Sequence, residues 1–249
     1  MKYPNGRPVS PQVFQALRYI TKVGVMSKKT WNELFGKGTK RWKTQQIRIL
    51  MKAKILRLHP HELRDSFVIG AVGMDLVREQ KWRSVHLVDP KYFKHDEIVA
   101  RGVWKLEEEN ICSKWFTEKE LKNKGSTSFK LDNLENGKLK YPDAVMKVEC
   151  QKNSIIVAVE YEKTMKTNWR YNKAIKAYSE STDFSFILFL VESAAIEKSI
   201  KRSLRYIGDG HLIHRIGFMS IEDWMKDPLN APMRTPSASK TLKEMTFKN

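Results

Sequence analysis

A chain of 249 residues, 41% hydrophobic and 30% charged, carries apolar material for two small cores more comfortably than for a single large one. Its formal net charge of +18 points to a polyanionic partner, of which nucleic acid is the commonest. A membrane span and a secretion signal are both excluded from expectation, since the longest apolar run is FILFLV (Phe186–Val191) and the N-terminal MKYPNGRPVS has no apolar stretch.

In chain order, Val13, Ala16, Leu17 and Ile20 recur at helical spacing behind Ser10 and Pro11, which predicts a helix over 11–23 with Ser10 as its cap. A second helix is expected over 25–36, with Ser27 as a cap, Trp31, Leu34 and Phe35 buried, and Gly36 as the stop. A third follows from Thr39, with Trp42, Ile47, Leu50 and Met51 expected to face inward. Two short strands, Ile55–Leu58 and Phe67–Ile69, flank a polar turn. Three helices and a two-stranded wing make the plan of a winged helix-turn-helix, whose third helix normally enters the DNA major groove.

Charge supports that reading. Residues 1–85 hold 18 Lys and Arg against 5 Asp and Glu, whereas the rest of the chain holds 28 against 23, so most of the excess sits in the first third. Residues 36–57 hold eight basic residues and no acid. Lys40, Arg41, Lys43 and Arg48 are the expected phosphate contacts, and Thr44, Gln45 and Gln46 add groups able to bond base edges or phosphates. The competing reading is a winged helix that binds protein. Double-stranded DNA is the expected partner.

Beyond the wing, helices are expected over Gly73–Gln80 and His95–Asn110. The linker between them could hold a short strand at Val85–Val88. Trp104 and Trp115 read as core aromatics. A polar, turn-rich loop then leads into YPDAVMKVECQKNSIIVAVEYEKTMKTNWRY (Tyr141–Tyr171), a strand, a turn at Lys152-Asn153, a second strand and the start of a basic helix. A buried strand, FSFILFLV, a helix over Ala194–Ile207, and a last strand and short helix in HRIGFMSIEDWMK complete the fold. Residues 227–249, rich in proline and small polar residues, are expected to be a flexible tail. The domains are therefore set at 1–85 and 86–226. Cys112 and Cys150, far apart and in no CxxC pair, imply a reduced, cytoplasmic protein without a zinc site.

The acids of the quoted stretch form a pattern. With the turn centred on Lys152-Asn153, Asp143 falls opposite Glu162 and Val145 opposite Glu160. The two-residue period puts Glu160 and Glu162 on one side and Val157, Val159 and Tyr161 on the other. Like charges that face each other across strands are destabilising, so the patch requires a compensating cation. A divalent metal, Mg²⁺ or Mn²⁺, is one source, and it would suit phosphodiester hydrolysis. The alternative is a set of ion pairs with Lys163 and Lys166. Lys166, Arg170 and Lys173 recur at helical spacing as a basic stripe, opposite a buried face of Tyr171, Ala174, Ile175 and Tyr178.

The PDAV segment, the short hairpin and VAVEYEKTMK together resemble the PD-(D/E)XK nucleases, which have the restriction-endonuclease-like fold. With the basic winged helix in front, EYEKTMKTNWRYNKAIKAY resembles more narrowly the replication-relaxation proteins of plasmids and conjugative elements, over roughly residues 10–225. The resemblance implies a mixed sheet flanked by helices, an α/β (α+β) fold, with Asp143 and Glu160 as metal ligands. Glu162 stands where the family usually has lysine, so Lys166 is the expected replacement; Glu108 and Glu118 both qualify as the further acid, and the resemblance favours Glu118. Arg170 and Lys173 would line the path of the backbone. The implied function is metal-dependent DNA cleavage or nicking in the replication or mobilisation of a mobile element. The alternative is a non-catalytic DNA-binding regulator that uses a degenerate nuclease fold as a scaffold or homodimerisation unit.

Overall fold

Capping residues and apolar spacing place the first helices where the sequence puts them. The computed structural model describes residues 8–60, 65–84, 90–123, 128–131, 140–150, 153–236 and 238–246. The chain divides into two compact units, Met1–Glu97 and Ile98–Asn249. The division falls inside a helix and not at residue 85, and the strand expected at Val85–Val88 lies outside the described residues.

In the first unit, α1 (Pro11–Val23) starts at Ser10, whose hydroxyl accepts from the Val13 amide, and ends at Gly24 in the left-handed conformation. A two-residue strand, β1 (Met26–Ser27), precedes α2 (Lys28–Thr30), which runs on into a π-helical turn over Trp31–Phe35. Then come α3 (Lys40–Lys52), capped by Thr39, β2 (Leu56–Leu58), β3 (Ser66–Ile69) and α4 (Ala71–Glu79). The sheet order is β1-β3-β2, all antiparallel. The wing therefore has three strands where two were expected. Met26, which pairs with Phe67, belongs to a segment read as helical because Ser27 is both a strand residue and the cap of α2. Leu17, Tyr19, Ile20, Trp31 and Phe35 fill the core of this unit. Glu97 is buried in it and accepts from the Ser27 amide at 2.7 Å and the Thr30 hydroxyl at 2.5 Å, which pins the start of α2.

The second unit contains most of α5 (Pro90–Glu108), then β4 (Cys112–Thr117), α6 (Glu118–Asn123), β5 (Ala144–Glu149), β6 (Ser154–Glu162), α7 (Asn168–Glu180), β7 (Phe186–Val191), α8 (Ala194–Ile207), α9 (Gly210–Ile213), β8 (Ile216–Ser220), α10 (Ile221–Lys226), β9 (Met233–Arg234), β10 (Ser239–Lys240) and α11 (Leu242–Thr246). Its sheet has the order β10-β9-β8-β7-β6-β5-β4. Strands β4, β5 and β6 are antiparallel neighbours, and β6, β7 and β8 are parallel. This is the expected mixed sheet flanked by helices. The buried run of β7 follows from its central place, covered on both faces. Trp104 and Trp115 are core aromatics as expected, in an edge-on pair with centroids 6.4 Å apart.

Two departures have plain causes. Strand β4 was missed because a bulge between Cys112 and Lys114 breaks its alternation. The segment after residue 226 is not a loose tail in its described part: Arg234 pairs with Phe218 of β8, and Ala231, Met233 and Leu242 are buried. A few apolar residues spaced among prolines are enough to dock a short edge strand, although their composition resembles that of a linker. Among the described residues, no helix is long and apolar enough to cross a membrane.

Candidate functional site

The acids of the second unit are assembled by strand register. The pairs Ala144–Val159 and Val145–Ala158 continue to place Asp143 across from Glu160, not Glu162. The turn accordingly shifts: the Cys150 amide donates to Asn153 at 2.8 Å, and Gln151-Lys152 between them lie outside the described residues. A register displaced by two residues keeps every side chain on its expected face, so Asp143, Glu160 and Glu162 still share one side. Tyr171, Ile175 and Tyr178 of α7 join the core cluster that includes Ala158 on that same side of β6. Glu160 and Glu162 are buried beneath this cover.

Buried carboxylates require partners, and each of these has one supplied by the chain. Glu160 Oε1 accepts from Lys140 Nζ at 2.8 Å and from the Tyr178 hydroxyl at 2.6 Å. Asp143 Oδ2 accepts from the Tyr161 amide at 2.8 Å. Glu162 Oε1 accepts from Lys166 Nζ at 2.6 Å. Glu118 opens α6, where its amide donates to the Asp143 carbonyl at 3.1 Å and its carboxylate meets Lys122 at 2.7 Å. All four predicted acids are therefore brought into one neighbourhood.

The electrostatics match this arrangement. Burial pushes the Glu118 carboxyl up, Lys122 opposes it, and Asp143 and Glu160 raise it further. Burial likewise raises Glu162, with Lys166 pulling it down and Glu160 pushing it up. Burial alone would lower the Lys140 ammonium, but Glu160, Asp143 and Glu162 outweigh burial and hold it above its ordinary value. Burial also lifts the Tyr178 phenol well above the usual tyrosine range, and Glu160 adds to the effect. Tyr178 is therefore a fixed donor at neutral pH.

The sequence marks neither Lys140 nor the Tyr178 hydroxyl as part of the acidic patch. Lys140 stands three residues before Asp143, in an antiparallel bridge with Leu131 that composition does not reveal. Tyr178 reads as an ordinary core aromatic, although a buried tyrosine hydroxyl needs an acceptor, and that is the signal that points to Glu160. Lys166 does not belong to the helical stripe assigned to it. It precedes α7, which begins at Asn168, and reaches back to Glu162 from that connection. Arg170 and Lys173 do share α7, with Lys173 Nζ over the Trp169 ring at 5.3 Å.

An ammonium already holds one oxygen of each glutamate that would face a divalent ion. Glu160 Oε1 is shared by an ammonium and a phenol, and Glu162 Oε1 is held by an ammonium. Among the described residues, no three His, Cys, Asp or Glu side chains converge as a metal's ligands. Compensating charge comes from Lys140 and Lys166. The second Glu162 oxygen is buried, with no hydrogen-bond partner among the described residues.

In the first unit, Thr39, Lys40, Arg41, Trp42, Thr44, Gln45 and Arg48 line an open concavity along α3. Lys40, Arg41, Gln45 and Arg48 are exposed. Trp42, expected to face inward, is instead 51% exposed, because Ile47 and Leu50 alone supply the buried stripe of α3. Two other expectations turn inward: Lys43 donates its ammonium to the Asn32 carbonyl, and the Gln46 side-chain oxygen is buried. The Thr44 hydroxyl is bonded back to the Lys40 carbonyl at 3.0 Å. The exposed α3 residues of the concavity are thus three cations, a glutamine and an indole.

Comparison with protein-family models, with curated proteins and with solved structures returned no match.

Proposed function

We propose that this chain is a DNA-binding protein that grips duplex DNA through α3 and does not cleave it. The α3 face supports the first part. Lys40, Arg41 and Arg48 are exposed on the helix that a winged helix-turn-helix presents to the major groove, with Gln45 among them as a base-edge donor and acceptor. The carboxylate patch carries the second part. An ammonium that neutralises a buried acid does the work a divalent ion would do for fold stability. Lys140 on Glu160 and Lys166 on Glu162 close the patch from within. Metal-dependent cleavage of a phosphodiester would need those carboxylate oxygens for a cation, and Lys140 and Lys166 each hold one of them. The second unit then acts as a scaffold of nuclease-like plan, in keeping with the resemblance of its PDAV and VAVEYEKTMK segments to PD-(D/E)XK nucleases.

A second reading, metal-dependent nicking, draws support from the opposition of Asp143 and Glu160 and from the unpartnered oxygen of Glu162. One experiment separates the two. Duplex DNA is titrated with the protein, and supercoiled plasmid is incubated with it in Mg²⁺ or Mn²⁺, with and without chelator. The expected result is duplex binding insensitive to chelator and no nicked product. Chelator-sensitive nicking that disappears in Asp143→Asn would establish the second reading in place of the first.

A further inference from the structure

The outer faces of α7 and α8 carry a surface that the carboxylate patch does not use. The two helices contribute seven Lys and Arg, and only Glu180 and Glu197 as acids. Both acids are already matched: Glu180 by Lys176 at 3.8 Å, and Glu197 by Lys201 at 2.7 Å and Arg234 at 2.9 Å. What remains outward is net positive.

Two aromatic rings stand in this field. Trp169 is 54% exposed and Tyr206 is 77% exposed. In a chain that buries Trp31, Trp104, Trp115 and Trp224 almost completely, an indole left in water next to a lysine calls for a physical reason. Lys173 sits four residues after Trp169 on the same helical face, with its ammonium over the ring.

Helical spacing puts the two rings on one surface. The Ser199 hydroxyl of α8 bonds the Asn168 side chain of α7 at 3.2 Å, which identifies the flank of α8 nearest α7. Arg202 and Tyr206 follow Ser199 by three and seven residues, so they share that flank, and both are exposed. Trp169 follows Asn168 by one residue, about 100° further round α7, and is turned to solvent. Trp169, Lys173, Arg202 and Tyr206 thus border one seam, with Arg170 and Arg205 beside them.

We infer that this seam binds an unpaired nucleic-acid strand, with a base stacked on Trp169 and the phosphates along Arg202 and its basic neighbours. An accessible ring offers a face to a splayed base, which a duplex keeps inside its own stack, whereas arginines and lysines attract any backbone. Charge selects a polyanion, and the rings select one with free bases. The inference rests on the second unit alone and stands or falls separately from duplex binding by α3.

The test uses the full chain and a short fluorescent oligothymidylate, measured by anisotropy, with an abasic strand of equal length and charge as comparator. Oligothymidylate is expected to bind about ten-fold more tightly than the abasic strand, the scale of roughly 1.4 kcal/mol and within the range of one base–aromatic stack. Trp169→Ala should remove that difference and Trp169→Phe should retain most of it. Arg202→Ala should weaken both strands and lower the salt slope by about 0.7. The double variant Arg41→Ala, Arg48→Ala should lose duplex affinity and keep oligothymidylate affinity. Equal binding of the two strands by the unaltered protein would overturn the inference, as would an unchanged preference in Trp169→Ala. Displacement of the oligonucleotide by an equally charged poly-glutamate peptide at the same concentration would overturn it too, by reducing the seam to a generic cationic surface.

Discussion

Replacing Lys166 by Met tests whether the carboxylate patch is neutralised from within. The Lys166 ammonium sits 2.6 Å from Glu162 Oε1; the glutamate side chain is 5% exposed and the lysine 33%. Breaking a fully buried pair costs about 3–5 kcal/mol, and a fully exposed pair is worth ~0–1 kcal/mol. With one partner buried and the other one-third in water, screening brings the expected loss to about 2 kcal/mol. For a protein of this size that is roughly a 6 °C fall in Tm, at ~2–4 °C per kcal/mol. The loss must also depend on pH. Burial already raises the Glu162 carboxyl, and Lys166 is the first of the charges that oppose the rise, so the variant's carboxyl stands higher still. A carboxyl raised in the folded state binds more protons folded than unfolded. The penalty is therefore absent below the ordinary glutamate value and grows as pH rises through the folded one. Thermal unfolding of both proteins at pH 4 and pH 7 should show the larger difference at pH 7, with Lys163→Met, an exposed neighbour, nearly neutral at both. An equal loss at the two pH values, or a loss at pH 7 no greater than that of Lys163→Met, would refute the internal-neutralisation argument.

Within α3, Arg48→Ala should weaken duplex binding on every sequence and lower the salt slope by about 0.9, whereas Lys43→Ala should leave the slope unchanged, because Lys43 is bonded to the Asn32 carbonyl; titrations at several salt concentrations distinguish them. Gly102→Ala should destabilise the second unit by about 1–3 kcal/mol, read by denaturant unfolding, since an added Cβ would fall 2.0 Å from the Trp224 ring, whose Nε1 is already bonded to the Ile98 carbonyl at 3.1 Å.

The sequence by itself determined what local physics controls. Ser10 and Ser27 mark helix starts because a hydroxyl must meet the orphan amides there, and they do so in the structure. The common side of Asp143, Glu160 and Glu162 was legible because strand alternation has period two, and a register displaced by two residues leaves sides unchanged. The basic character of α3 was legible because charge counts need no fold. Tertiary structure decided the rest. Which acid faces Asp143 depends on where a two-residue turn closes, and a one-step displacement of the turn's centre exchanged Glu162 for Glu160. Whether Trp42 faces in or out depends on whether Ile47 and Leu50 already fill the space under α3, a matter of volume that the helical period does not contain. The cation on the patch was decided by the position of Lys140, bridged to Leu131 and bonded to Glu160, and by α7 laying Tyr178 over it. Those partners are long-range in sequence, and only the packing of a helix on a sheet brings them within hydrogen-bond distance.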